Sequence, residues 1–314
     1  MSIYLVTGGA GFIGSHLVGA LVERGEKVRV LDNLGTGHRK NLTPFGSKIE
    51  FVEGDLVDRK AVEVALKDVE VVFHQAALAS VPRSVAAPLD TNAACATGTV
   101  NLLDVARQSG VRRVVYAGSS SVYGDQPTPA KHEGLLPSPV SPYAAAKLAG
   151  EFYCQAFTAT YGLETVTIRY FNVFGPRQDP QSQYAAVIPK FITEMLAGQR
   201  PTIFGDGKQS RDFTYIDNII HGNLLAADAP NAIGKTINVA CGEQYSLLEL
   251  VAAINQALGT KIVPVFEPPR AGDVRDSLAD ITLARQALGY EPIVVFDEGL
   301  RRTVEYYRSV AGKK

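Results

Sequence analysis

Ile3-Tyr4-Leu5-Val6 runs directly into Thr7-Gly8-Gly9-Ala10-Gly11-Phe12-Ile13-Gly14. The first four residues form a short apolar run suited to a strand covered on both faces, and Phe12 to Arg24 is long enough for a helix. A strand, a glycine-rich turn and a helix in direct succession let backbone approach a ligand closely. They also aim helix N–H groups and the positive end of the helix dipole at it. A lone glycine triplet also makes a tight turn. Its place at the opening of the first helix is what argues for a dinucleotide pyrophosphate, here with the spacing G-x-x-G-x-x-G.

Working outward, the same kind of run recurs at Val28–Leu31, Ile49–Val52, Val69–Phe73, Val114–Tyr116 and Val166–Ile168. Between them lie helix-length stretches at Arg59 to Lys67, Asn92 to Gln108 and Tyr143 to Tyr161. Alternation of this type predicts an α/β fold with a doubly wound parallel sheet. The pattern loosens after Phe174: a polar stretch from Pro176 to Gln183 leads to a predicted helix over Ala185 to Ala197 and a turn at Gly205-Asp206-Gly207. A further apolar run, Thr236-Ile237-Asn238-Val239, can rejoin the sheet. The expected division is a nucleotide-binding domain over 1–175 with a returning piece at about 211–242, and a smaller, discontinuous α/β domain from 176–210 and 243–314.

The chain has 314 residues, with 31 Lys+Arg against 32 Asp+Glu and a formal charge of −1, and no basic run is long enough for a nucleic-acid footprint. A 46% hydrophobic share argues against disorder. The three cysteines, Cys95, Cys154 and Cys241, form no C-x-x-C pair and no His/Cys cluster, so no metal site is expected and a reducing, cytoplasmic setting is. No stretch reaches the about 18 apolar residues of a membrane span.

Asp32 closes the second strand 18 residues after Gly14, where a carboxylate can accept both ribose hydroxyls and repel a 2′-phosphate, favouring NAD over NADP; Arg39 and Lys40 leave an opening for NADP. Asp55, after the third strand, can accept from an adenine amino group or cap the next helix. Tyr143 and Lys147 stand four apart on one helix face, where a cation beside a phenol would lower its pKa and make it a proton acceptor. Ser119, Ser120 and Ser121 end the fifth strand at the edge where ligands collect, with Ser119 placed to bridge a substrate oxygen and the tyrosine. His74 and Cys95 read as structural, and His132 as a loop residue.

Thr7–Gly14, Asp32-Asn33-Leu34-Gly35-Thr36-Gly37, Ser119–Gly124, Tyr143/Lys147 and Arg169-Tyr170-Phe171-Asn172 together resemble the extended short-chain dehydrogenase/reductase family, over nearly the whole chain. Within it the sequence is most similar to UDP-sugar C4-epimerases. The resemblance implies a Rossmann-type fold and tightly bound NAD that is not consumed. Cofactor contacts would come from Gly8, Gly11, Phe12, Ile13, Gly14, Asp32, Asn33, Gly37, Asp55, Leu56, Gln75, Ala76, Ala77, Asn92, Tyr143, Lys147 and Tyr170. Tyr143, Lys147 and Ser119 would be catalytic. The UDP-sugar would be held by Ser80, Ser119, Ser120, Ser121, Tyr143, Ala186, Val187 and Lys190, with Asn172, Arg211 and Arg270 at the diphosphate, Thr202 and Phe204 at the uracil, and Asp273 at the ribose.

Arg177-Gln178-Asp179-Pro180 through Tyr184-Ala185-Ala186-Val187-Ile188-Pro189-Lys190, Ala79–Ser84 and Gly272–Asp280 resemble the subgroup that prefers UDP-N-acetylhexosamines. Ser277 stands where epimerases confined to UDP-glucose and UDP-galactose can carry tyrosine. Ala79, Ser80, Ser121, Asn172, Ala186 and Ser277, the positions that would wall the sugar, are all small or modest. Room admits the larger sugar without excluding the smaller. The nearest rivals are a UDP-glucose 4-epimerase proper and a dehydratase or decarboxylase, which would want carboxylates where Ser120 and Ser121 stand. A non-enzymatic NAD sensor would have no use for Tyr143 and Lys147. The resemblance also implies a homodimer, paired through the helices at Asn92–Gln108 and Tyr143–Tyr161.

Overall fold

The computed structural model describes residues 2–180, 186–269 and 275–312. In chain order the first part runs β1 (Ile3–Thr7), α1 (Phe12–Glu23), β2 (Lys27–Asp32), β3 (Ile49–Glu53), α2 (Arg59–Leu66), β4 (Val69–His74), α3 (Val81–Ala86), α4 (Pro88–Asn92), α5 (Gly98–Gln108), β5 (Arg113–Ser119), α6 (Pro142–Tyr161) and β6 (Glu164–Tyr170). The strands pair in parallel as β3-β2-β1-β4-β5-β6; the apolar runs of the inner strands are largely buried on both faces, whereas edge strand β3 is only half-buried. This is the predicted doubly wound sheet. Strand order reverses between β1 and β4, and the register sets Thr7 opposite both Leu31 and His74. The carboxyl ends of β1, β2 and β4 are therefore flush, and the loops leaving them open one crevice, the place where such sheets bind ligands.

The predicted helix over Asn92 to Gln108 is interrupted: α4 passes through a single π turn, Ala93–Thr97, before α5. Thr99 Oγ1 donates to the Cys95 carbonyl there at 2.7 Å. α6 has firm local signals, with Ser141 Oγ accepting from Ala144 N at 3.1 Å and Pro142 in its first turn.

The chain continues through β7 (Val173–Phe174), α7 (Val187–Leu196), β8 (Thr202–Phe204), β9 (Ser210–Arg211), β10 (Thr214–Tyr215), α8 (Ile216–Asp228), β11 (Thr236–Val239), β12 (Tyr245–Ser246), α9 (Leu247–Leu258), β13 (Val265–Glu267), β14 (Asp276–Ser277), α10 (Thr282–Leu288) and α11 (Phe296–Ala311). β11 does rejoin the sheet as its seventh strand, parallel to β6 with Thr236 opposite Thr167. The helix expected from Ala185 starts instead at Val187. Proline has no N–H to give to a carbonyl four residues back, so Pro189 fits only in a first turn, and a start at Ala185 would put it two residues too late. Short strand sets β12-β9-β14 and β13-β8 follow, carrying Thr202, Phe204, Arg211 and Ser277 of the residues expected to meet the substrate. No helix among the described residues is long and apolar enough to cross a membrane.

Candidate active site

The first turn is close enough that side chains have no room. A Cβ on Gly14 would lie 2.1 Å from the Gly8 carbonyl oxygen, and one on Gly8, at φ +67°, 2.7 Å from the Ala76 backbone. A cavity of about 250 Å³ opens over this turn. Gly8, Gly11, Phe12, Ile13 and Gly14 line it from the turn, Asp32, Asn33 and Gly37 from the loop after β2, Asp55 and Leu56 from the loop after β3, and Gln75, Ala76 and Ala77 from the loop after β4. The residues expected around a dinucleotide thus converge from four strand ends. Leu31, Thr36, Gly54, Leu78, Ala79 and Ala94 join them, Ala79 having been expected at the sugar. Asn92, Tyr143, Lys147 and Tyr170 do not line this cavity.

Asp32 is buried, with Oδ2 accepting from Ala10 N at 2.9 Å and Oδ1 from Leu34 N at 2.8 Å, which fixes the carboxylate at the cavity wall with lone pairs to spare. Arg39, the opening for a 2′-phosphate, is committed elsewhere: it bonds Glu53 at 2.8 Å and lies over the Phe51 ring. Asp55 faces the cavity while Oδ1 accepts from Val57 N, and it does not cap α2. Its Oδ2 accepts from Asn33 Nδ2, and the cap of α2 is Asp58. Tyr170 supports the wall from behind, its hydroxyl accepting from Gln75 Nε2 at 2.9 Å and donating to Asn223 Oδ1 at 3.0 Å. Asn223, on α8, carries no local signal in the sequence; only the packing of α8 brings it here.

Tyr143 opens α6 with Lys147 one turn on. Lys147 is 2% exposed, its Nζ donating to the Ala117 carbonyl at 2.8 Å and lying 4.8 Å from the centre of the Tyr116 ring. The expected lowering of the phenol by Lys147 is not what this geometry gives. Burial pushes Tyr143 well above the ordinary phenol range, Cys95 adds to that, and the Ser119 hydroxyl pulls it back. Ser119 in turn shares a 2.8 Å hydrogen bond with Ser121 Oγ and accepts from Ser121 N, so the serine turn is itself locked. Cys95 packs with Ala146 and Tyr143, a core position as expected, though beside the phenol. His74 is fully buried between Thr7 Oγ1 at 2.8 Å and Thr99 Oγ1 at 2.9 Å, and burial lowers it to about 3. Among the described residues no group of three or more acidic, His or Cys side chains could hold a metal.

A second cavity, of about 310 Å³, takes Asn172, Ala186, Val187, Lys190, Thr202, Phe204 and Arg211, all expected at the substrate. Its apolar walls, Phe174, Phe191, Phe213 and Leu247, were not anticipated, because aromatic residues scattered over 174–247 give no sign that they share a wall. Gln209 was also missed: its Nε2 donates to the Phe204 carbonyl at 2.6 Å, while Oε1 is buried with no donor among the described residues. Arg211 Nη1 is steadied by the carbonyls of Ser210 and Arg275, both at 2.8 Å. Asn172 reaches toward Ser277, Nδ2 to Oγ 3.5 Å, and donates to the Asp212 carbonyl. Ser80 caps α3 through Arg83 N. Arg270 and Asp273 lie outside the described residues, as does the 181–185 part of the long polar motif.

A family model described as the NAD dependent epimerase/dehydratase family matches residues 4–240. The chain belongs to this family. It is 42% identical over 309 residues to a UDP-glucose 4-epimerase of Mycolicibacterium smegmatis, covering 97% of this chain and 98% of that one. It superposes with a TM-score of 0.94 on a UDP-N-acetylglucosamine 4-epimerase from Methanobrevibacter ruminantium solved with UDP-N-acetylmuramic acid, at 42% identity and 98% and 99% coverage. The same score is reached with a UDP-glucose 4-epimerase of Thermotoga maritima solved with UDP-glucose, at 39% identity and 98% and 99% coverage.

The residues of the first cavity fit NAD, the cofactor of this family. The side-chain-free turn, the anchored Asp32 and the occupied Arg39 all suit NAD. NAD supplies a reversible hydride acceptor. The family's two named chemistries need different side chains. Water elimination wants an acid and a base beside the reacting carbon, and the turn after β5, Ser120–Tyr123, carries hydroxyls and no carboxylate.

Proposed function

We propose that this enzyme inverts C4 of UDP-hexoses through a 4-keto sugar, and that UDP-N-acetylglucosamine and UDP-N-acetylgalactosamine are its preferred pair, with UDP-glucose and UDP-galactose as further substrates. The observation that carries the reading is Tyr143, bonded to the Ser119 hydroxyl and one turn from the buried Lys147, in a chain that also holds a glycine-lined cavity and a second cavity lined by Asn172, Phe204 and Arg211. Tyr143, as the phenolate, takes the proton from the C4 hydroxyl, with Ser119 bonded to both oxygens; NAD held over the glycine turn would accept the C4 hydride. Arg211 and Asn172 anchor the diphosphate while the keto sugar turns, and hydride and proton return with the opposite face presented. Gln209 Oε1, buried without a donor among the described residues, suits the N3–H of uracil.

Support for the N-acetyl preference comes from Ser277. It lies beside Asn172 with a hydroxymethyl group where a bulkier residue would fill the sugar's space. Conversion of UDP-N-acetylglucosamine and UDP-glucose, followed side by side by nucleotide-sugar chromatography, tests this. Ser277→Tyr should slow the acetylated sugar at least about tenfold and spare UDP-glucose. Conversion of UDP-glucose alone by the parent enzyme overturns the N-acetyl assignment. Homodimer formation belongs to the same reading and is supported by apolar side chains exposed on α6, with the others on α3 and α4 rather than on the expected Asn92–Gln108 helix.

A further inference from the structure

Glu151 takes no part in the steps above, yet it lies one turn beyond Lys147, so that Tyr143, Lys147 and Glu151 follow at i, i+4 and i+8 along α6. It is 1% exposed. Arg169 of β6, equally buried, donates to it from Nε at 3.1 and 3.2 Å and from Nη2 at 2.8 Å. The guanidinium lies 4.6 Å from the centre of the Tyr123 ring. Glu151 Oε1 also presses on the strand that ends in Ser119: a Cβ on Gly118 would come within 3.0 Å of it. Gly118 follows Ala117, whose carbonyl holds the Lys147 ammonium. Carboxylate and ammonium thus meet successive residues at the end of β5.

A buried ammonium held by a carbonyl and an aromatic face still lacks a countercharge. The titratable groups facing Lys147 are Tyr143, Glu151 and Cys154 from α6, Tyr116 from β5, Cys95 from the π turn and His74 from β4. Burial draws Lys147 below the ordinary lysine range, against Cys95, Glu151 and Cys154. The cysteines oppose it only as thiolates, and burial pushes the Cys154 thiol up to about 12. Burial raises the Glu151 carboxyl too, but the Arg169 guanidinium draws it back.

We propose that Glu151, locked by Arg169, is a positioning residue that supplies the countercharge keeping Lys147 an ammonium beside Tyr143. The role rests on the reading of Tyr143 and Lys147 as the proton-transfer pair. Its test is a pH titration of the lysine Cε signals of the full-length protein by NMR, with Lys147→Met identifying the relevant signal. Glu151→Gln should lower the Lys147 midpoint by about one pH unit or more, Cys95→Ala should move it less, and Glu151→Asp should restore it. The alkaline limb of kcat/KM should move down in step with the midpoint. Should Glu151→Gln fail to fold, Glu151→Gln/Arg169→Gln leaves no unpaired charge and should shift the midpoint the same way by less.

A midpoint unmoved in whichever variant folds, a larger shift in Cys95→Ala, or a loss of activity equal at every pH overturns the proposal. The titration needs no substrate. A chain that titrates as expected but converts no UDP-sugar therefore contradicts the epimerase reading and leaves the Glu151–Lys147 coupling standing.

Discussion

Tyr143 sits in an environment that makes it a reluctant base: burial favours the neutral phenol, and the Ser119 hydroxyl is the neighbour that eases its ionisation. A base must lose its own proton before it can take one, so turnover should climb with pH along the limb that reports Tyr143. Ser119→Ala should displace that limb to higher pH, which a kcat/KM profile from pH 6 upward will show. Tyr143→Phe removes the acceptor and should lower kcat by about 10²–10⁴-fold at all pH values. The i, i+4 pairing of Tyr143 with Lys147 was legible in the sequence because helical spacing alone puts both on one face. The carbonyl partner of Lys147 and the raised phenol were not, since both depend on what β5 places opposite that face.

The strand-turn-helix unit of β1 and α1 was the most legible element, because glycine spacing and strand pattern are local. Its tolerance is equally local: Gly14→Ala forces a Cβ into the Gly8 carbonyl and should yield protein without bound NAD, as read by the absorbance of nucleotide released on denaturation. The π turn at Ala93–Thr97 and the start of α7 were not legible from apolar patterning, although Pro189 signals the latter once hydrogen bonding is considered. His74 shows how an element boundary becomes a pH device. Neutral in the fold with a value of about 3, it binds no proton between pH 6.5 and 3 while the unfolded chain does. Stability from this group is full above pH 6.5 and falls as pH drops through that window. Between pH 7 and pH 5 the parent should therefore lose about 2 kcal/mol that His74→Gln does not. Urea unfolding at the two values measures it, and His16, lowered to about 4, adds a slope common to both proteins.

For the whole molecule, the sheet and its seventh strand followed from apolar runs, whereas the wall of the substrate cavity joins Phe174, Phe191, Phe213 and Leu247 across more than seventy positions and could be seen only folded. On the outer flank, Val85, Leu89 at 82% exposure, Phe152 and Tyr153 stand in water on α3, α4 and α6, which pack against one another. A surface of that kind is costly on a monomer. Sedimentation should give twice the chain mass of 33.7 kDa, and Leu89→Asp with Phe152→Asp should give the single chain. A parent that sediments as a single chain contradicts the dimer.

The proposed route has a hydride leave C4 and return to the same carbon without exchange with water. UDP-N-acetylglucosamine carrying deuterium at C4, incubated with the enzyme and no added NAD, tests this most directly. The expected product is UDP-N-acetylgalactosamine with the deuterium still at C4. Product in which the label has been replaced by solvent hydrogen, or a substrate returned with C4 unchanged, would contradict it.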